Sequence, residues 1–183
     1  MSPPGPGAFA LRLERRLGGA RRIAVVGIGD ELSPLDCLGI ETAREIDGLR
    51  LPGVMVVLAG LLPENVTGPL RLFRPDVVLF LDAAEMGTRP GTIAVIEPGE
   101  VKATLFSVHV LPLPVVMEFV ERDLGTEVIL LGIQPDTARD DVLSSRGREL
   151  FNGYREALSG VLRRISGGGA VEHVPEGDPD PAG

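Results

Sequence analysis

Three residues of this sequence carry polar groups that could meet in one place: Asp36, Asp82 and His109. Asp36 stands in RRIAVVGIGDELSPLDCLGI (21–40), a loop's length beyond an apolar run closed by glycine. Asp82 directly follows a second apolar run, Val77–Leu81. His109 lies in SVHVLPL (107–113); the other histidine, His173, is in a Gly/Pro/acid-rich tail, so imidazole chemistry in the globular part falls to His109. An acid just beyond a buried strand is expected at a crevice, because an unpaired carboxylate is expensive to bury. Two carboxylates and one imidazole suit a borderline-to-hard metal ion and leave coordination positions for water or substrate. Each residue also has a purely structural reading. Asp82 can be an N-cap or turn acid, Asp36 an acid in a helix's first turn, and His109 a hydrogen-bonded loop histidine. Spacing alone leaves both readings open.

The elements that would position these groups follow from hydrophobic patterning. Short, mostly β-branched runs predict buried strands at Ile23–Gly27, Val54–Ala59, Val77–Leu81 and Glu127–Ile133, with a further strand, at an edge, over Thr92–Ile96. Helical spacing predicts Ala8–Leu17, Leu35 to about Asp47 with Ser33-Pro34 as its start, Pro63 to about Phe73, Pro114–Leu124 and Arg146–Ile165. Residues 98–106 read as a turn with a short helix or irregular piece, and 107–112 as a loop. Alternation of strands and helices predicts a three-layer α/β/α domain with a mainly parallel twisted sheet. The expected organisation is a flexible N-terminus (1–7), one domain (8–165) and a disordered tail (166–183). In such sheets, sites form beyond the carboxyl ends of the strands, which is where Asp36 and Asp82 fall.

Composition removes several function classes. The 183 residues carry a formal net charge of -8, a poor match to nucleic acid or an anionic membrane surface. The single cysteine, Cys37, rules out an intramolecular disulfide and any CxxC pair. No signal-peptide pattern and no apolar run near the ~20 residues of a membrane span is present; the expectation is a cytoplasmic protein. Gly27-Ile-Gly29 is only half of a dinucleotide fingerprint, since Leu32 stands where the third glycine belongs and Ala59 where a ribose-binding acid belongs. Neither a P-loop nor a GxSxG elbow occurs. Cys37, beside Asp36, reads as packing rather than as a nucleophile.

Several segments together resemble the hydrogenase maturation proteases: VVGIGDELSPLDCLGI (25–40), LAGLLPEN (58–65), RPDVVLFLDAAEMGTRPGTIAVIEP (74–98), SVHVLPL (107–113) and VILLGIQPD (128–136). The resemblance is nearest to the formate-hydrogenlyase-type branch and runs from about Arg22 to Ile165. It implies a phosphorylase/hydrolase-like fold and an endopeptidase, grouped with the aspartic-type peptidases. Such an enzyme recognises nickel in the precursor of a [NiFe] hydrogenase large subunit and removes its C-terminal peptide. It further implies that Asp36, Asp82 and His109 contact the metal. The nickel would come largely with the substrate, with cadmium or zinc as surrogates, and the protein would be a monomer. The pattern departs at Asp30, where the family carries asparagine, at Leu35, where it carries the first of two adjacent acids, and at Ala59-Gly60-Leu61, where it carries Asp-Gly-Gly or similar. A homologue that binds without cutting and an unrelated nucleotide-binding α/β module are the alternatives.

Overall fold

The computed structural model describes residues 4–96, 112–138 and 143–167. Five strands make one sheet: β1 (Ile23–Ile28), β2 (Val54–Gly60), β3 (Val77–Ala83), β4 (Ile93–Ile96) and β5 (Glu127–Ile133). Their spatial order is β2-β1-β3-β5-β4. All pairings are parallel except β4 with β5, so the four-residue β4 closes one edge as the single antiparallel strand. Helices α1 (Pro6–Arg16), α2 (Leu38–Gly48), α3 (Thr67–Phe73), α4 (Leu113–Leu124) and α5 (Ser145–Gly167) cover the faces. A single 3-10 turn, Pro63–Val66, precedes α3. This is the expected α/β architecture.

Side-chain alternation divides the core in two. Odd-numbered strand residues, among them Val25, Leu79, Leu81, Ile129 and Leu131, pack with α1, α2 and α5. Even-numbered ones, among them Val26, Ile28, Val78, Phe80 and Leu130, pack with α3 and α4. Because both faces are covered, β1 and β3 are buried along their whole length. That is why they read as unbroken apolar runs rather than as alternating ones. Each such large side chain removed from water contributes roughly 1.5–3 kcal/mol.

Two polar devices hold the layers in place. At the amino ends of the strands, the Asp76 carboxylate accepts the backbone N–H groups of Arg21 and Arg22 at 2.7 and 2.8 Å, joining the entries to β1 and β3. On the opposite side of the molecule from α3 and α4, Arg155 of α5 pairs with Glu41 and Glu45 of α2, and Arg148 reaches Glu41 at 2.6 Å. This network ties the helix that follows the Asp36 loop to the longest helix of the fold.

The Asp76 clamp predicts an acid sensitivity. Its two backbone hydrogen bonds pull the Asp76 carboxyl below its ordinary value of 3.8. A depressed folded-state pKa stabilises the fold above the unfolded value, and that contribution is lost as pH falls through the folded value. Asp76→Ala should therefore lower Tm at pH 7, with the gap from the parent protein narrowing as the pH falls below the ordinary value of 3.8. Melting curves across that range check it; a gap independent of pH would assign the loss to something other than the carboxylate.

Three expectations need correction. The helix expected from Leu35 begins only at Leu38, because residues 33–37 are held in turns by the Ser33 carbonyl. The third strand does not stop at Leu81 but continues through Ala83, since β5 offers it partners as far as Ile133. The first helix starts at Pro6, so residues 6 and 7 belong to it rather than to a flexible end; proline's fixed φ suits a helix's first turn. The tail from residue 168, the readings made over 98–111, and His109 and His173 with them, lie outside the described residues.

Candidate active site

The loop carrying Asp36 is built by tight backbone turns. β1 leaves the sheet at Gly29, whose φ of +126° favours glycine. A Cβ there would collide with the Asp36 carbonyl oxygen, so the two ends of the loop touch. The Asp30 carboxylate accepts the Leu32 N–H at 2.9 Å, and the Ser33 N–H donates to the Asp30 carbonyl at 3.0 Å. The Asp36 and Cys37 N–H groups then both donate to the Ser33 carbonyl at 3.0 Å. Asp36 itself is buried, and its Oδ2 accepts the Asp30 N–H at 3.0 Å. Asp36 therefore precedes α2 by two residues. Its carboxylate turns back across the loop rather than capping the helix's first turn.

Asp82 sits one residue from the end of β3, paired in register with Gly132 of β5, and is 0% exposed. It is thus inside the strand, not the first residue after it. The alternation of β3 directs it to the α3/α4 face, with Phe80. The first turn of α2 rests against the end of this strand. A Cβ on Gly39 would collide with the carbonyls of Leu81 and Ile28. The Leu81 carbonyl belongs to the peptide bond leading into Asp82, so the helix behind Asp36 is seated on the strand that carries Asp82. Both acids thus occupy the carboxyl ends of the neighbouring strands β1 and β3. Among the described residues no three of His, Cys, Asp and Glu stand close enough to hold an ion by themselves. The third member of the expected trio, His109, lies four positions before α4, outside the described residues.

The glycines of the first motif serve packing. A Cβ on Gly27 would meet the Ala43 side chain of α2, and Gly39 abuts two strand carbonyls. These contacts seat a helix against the sheet, and Gly29 turns the chain. Cys37 has its thiol pKa raised, first by burial and next by the charge of Glu41, which keeps the sulfur protonated and fits its reading as packing. The adjoining groove of about 440 Å³, lined by Glu31, Cys37, Ile40, Glu41, Arg44 and Glu45, contains neither Asp36 nor Asp82. Its acids are engaged by Arg44, Arg148 and Arg155.

One residue near the site was not singled out by sequence reasoning. Gln134, the third residue of GIQPD, is buried, and its side-chain oxygen accepts the N–H of Met86 at 2.7 Å and of Thr88 at 3.3 Å. The segment is visible in the sequence. Which of its residues works on the loop after Asp82 depends on strand register.

Fold and site define an α/β protein with two buried acids at the carboxyl rim of a mostly parallel sheet. Residues 40–146 match the family model HycI, hydrogenase maturation protease. The crystal structure of a [NiFe] hydrogenase maturation protease HycI from Thermococcus kodakarensis superposes with a TM-score of 0.71 at 28% identity, covering 83% of this chain and 99% of that one. The solution structure of an endopeptidase HycI from Escherichia coli gives a TM-score of 0.59 at 26% identity, covering 80% of this chain and 90% of that one. The hydrogenase 3 maturation protease of Escherichia coli is 39% identical over 83 residues, 45% of this chain and 53% of that protein, so the match spans about half of that relative's length. The chain belongs to the hydrogenase maturation protease family. Its described helices include none long and apolar enough to cross a membrane.

Proposed function

We propose that this chain is an endopeptidase that recognises nickel in the precursor of a [NiFe] hydrogenase large subunit and removes the precursor's C-terminal peptide. The observation that carries the reading is the placement of Asp36 and Asp82. In a member of this family, two buried carboxylates stand at the carboxyl ends of adjacent strands, held there by a glycine turn and by a helix seated on the Leu81 carbonyl. With His109 they make a donor set of two oxygens and one imidazole nitrogen, suited to nickel and to cadmium or zinc as surrogates. The nickel belongs to the substrate, and three protein ligands leave it room for the precursor's own groups. It supplies Lewis acidity at the scissile carbonyl. The chain's own residues orient the metal-bearing segment, and a carboxylate takes the proton of the attacking water and passes it to the amine nitrogen as the scissile C–N bond breaks. The enzyme works as a monomer in the cytoplasm.

Leu35 favours a second reading. It is half-buried where the family carries the first of two adjacent acids, so a homologue that holds the precursor without cutting is the alternative. Incubation with nickel-loaded precursor, followed by mass spectrometry of the large subunit, separates the two. A shortened large subunit is expected. Stable binding with an unaltered large-subunit mass would establish the non-cutting factor instead.

A further inference from the structure

We propose that Gln134 is a positioning residue for the site, acting on Asp82 through Met86. This rests on the peptidase reading above. Asp82 is level with Gly132 of β5. Gly132 carries no side chain, and the space where its Cβ would stand is taken by neighbours: Ile96 from β4, and the Met86 sulfur at 3.0 Å from that position. Gly132 and Asp82 lie on the same face, since Leu130 and Phe80, the pair two residues back in the same register, share the α3/α4 core. The Met86 thioether therefore lies over the residue directly across from Asp82, forming an apolar wall beside the carboxylate.

Gln134 determines where Met86 goes. Residues 84–92 leave β3 after Ala83 and return to start β4. One side-chain oxygen of Gln134 accepts two N–H groups of this loop, from Met86 and Thr88. The Gln134 backbone holds the loop's far end, donating to the Thr92 carbonyl and accepting from the Gly91 N–H, both at 2.9 Å. The near end is tied by the Ala84 N–H to the Ile133 carbonyl at 2.9 Å. A nine-residue excursion is thereby fastened at three points to residues 133–134 of β5 and its exit, and Gln134 contributes the only one of these that involves a side chain. The amide nitrogen of Gln134 donates to the Pro135 carbonyl at 3.2 Å, which fixes the amide with its oxygen toward the loop.

Without the amide oxygen, two N–H groups lose their acceptor and the loop is free to swing outward to water. Met86 moves with it, water enters beside Asp82, and the carboxylate meets the substrate's metal in a wetter and less ordered setting. Supporting residues of this kind alter affinity or rate by about 10–100-fold.

The test uses the full chain. Gln134→Met keeps the side chain's length and removes the acceptor; Met86→Leu keeps an apolar wall, and Met86→Ala removes it. Hydrogen exchange of the Met86 and Thr88 amides should quicken in Gln134→Met while exchange in β1 and β3 stays as in the parent. Single-turnover trimming of nickel-loaded precursor should slow about 10-fold or more in Gln134→Met and Met86→Ala, with precursor affinity nearly unchanged, and Met86→Leu should recover most of the rate. Parent-like trimming by Gln134→Met, or Met86→Leu as slow as Met86→Ala, would overturn the proposal. If the parent protein trims nothing, the peptidase reading fails by itself. The exchange arm then still decides the clamp, and unchanged Met86 and Thr88 exchange would remove it.

Discussion

Asp82→Asn is expected to cut precursor processing by more than about 100-fold while leaving Tm unchanged or slightly raised. The reason is where the carboxylate lies. Asp82 is wholly buried in the central strand of the sheet, level with a glycine and beneath helices. Burying a carboxyl group so deeply is costly. Asparagine keeps the volume and removes the charge, so the fold loses little. On the proposed role Asp82 touches the substrate's metal, and the variant removes an anionic ligand, so the effect should exceed the 10–100-fold typical of residues acting at one remove. Asp36→Asn should behave alike, because the asparagine oxygen can still accept the Asp30 N–H that closes the loop. The pair of measurements is a melting curve and a single-turnover trimming assay on the same preparation. A variant that melts well below the parent and still trims would return Asp82 to a structural role.

Gly39→Ala should be a strongly damaging single methyl addition at the helix–sheet contact. Its Cβ would meet two backbone carbonyls, of Leu81 and Ile28, and neither belongs to a flexible side chain that can yield. Relief requires α2 to lift from the ends of β1 and β3, which opens the helix–sheet packing of Leu38 and Ala43. Overpacking of this kind costs about 1–3 kcal/mol or more, equivalent to a fall in Tm of roughly 2–12 °C for a domain of this size. Processing should fall further than stability does, because lifting α2 carries the Asp36 loop away from β3. Gly48→Ala is the control at the other end of the same helix. An added Cβ there meets nothing within 4 Å, and the substitution should be neutral or stabilising by about 0.4–1 kcal/mol. Equal melting temperatures for the two variants would mean that α2 is not seated on the strand ends.

The sequence alone determined the layer order and which segments are strands. β5 was legible to the residue because both its faces are covered and its limits are marked by Gly125 and the Gln-Pro pair. The same runs located Asp36 and Asp82, since a parallel sheet offers chemistry only where its strands end. Local signals failed in two places. Ser33-Pro34 has the composition of a helix start, yet the Ser33 carbonyl is taken by a turn and the helix waits until Leu38. Asp82 has the look of a strand terminator, yet Gly132 holds it in the ladder.

Tertiary structure alone decided what the glycines and Gln134 are for. As a string, Gly27, Gly29 and Gly39 fall short of a dinucleotide fingerprint and leave a turn role and a packing role open. Only the approach of Ala43, the Asp36 carbonyl and the Leu81 carbonyl distinguishes the two, because a missing side chain has no meaning until something fills its place. Gln134 is 52 residues from Asp82 in sequence, and its bearing on that carboxylate exists only through the β3–β5 register and the loop that the two strands share.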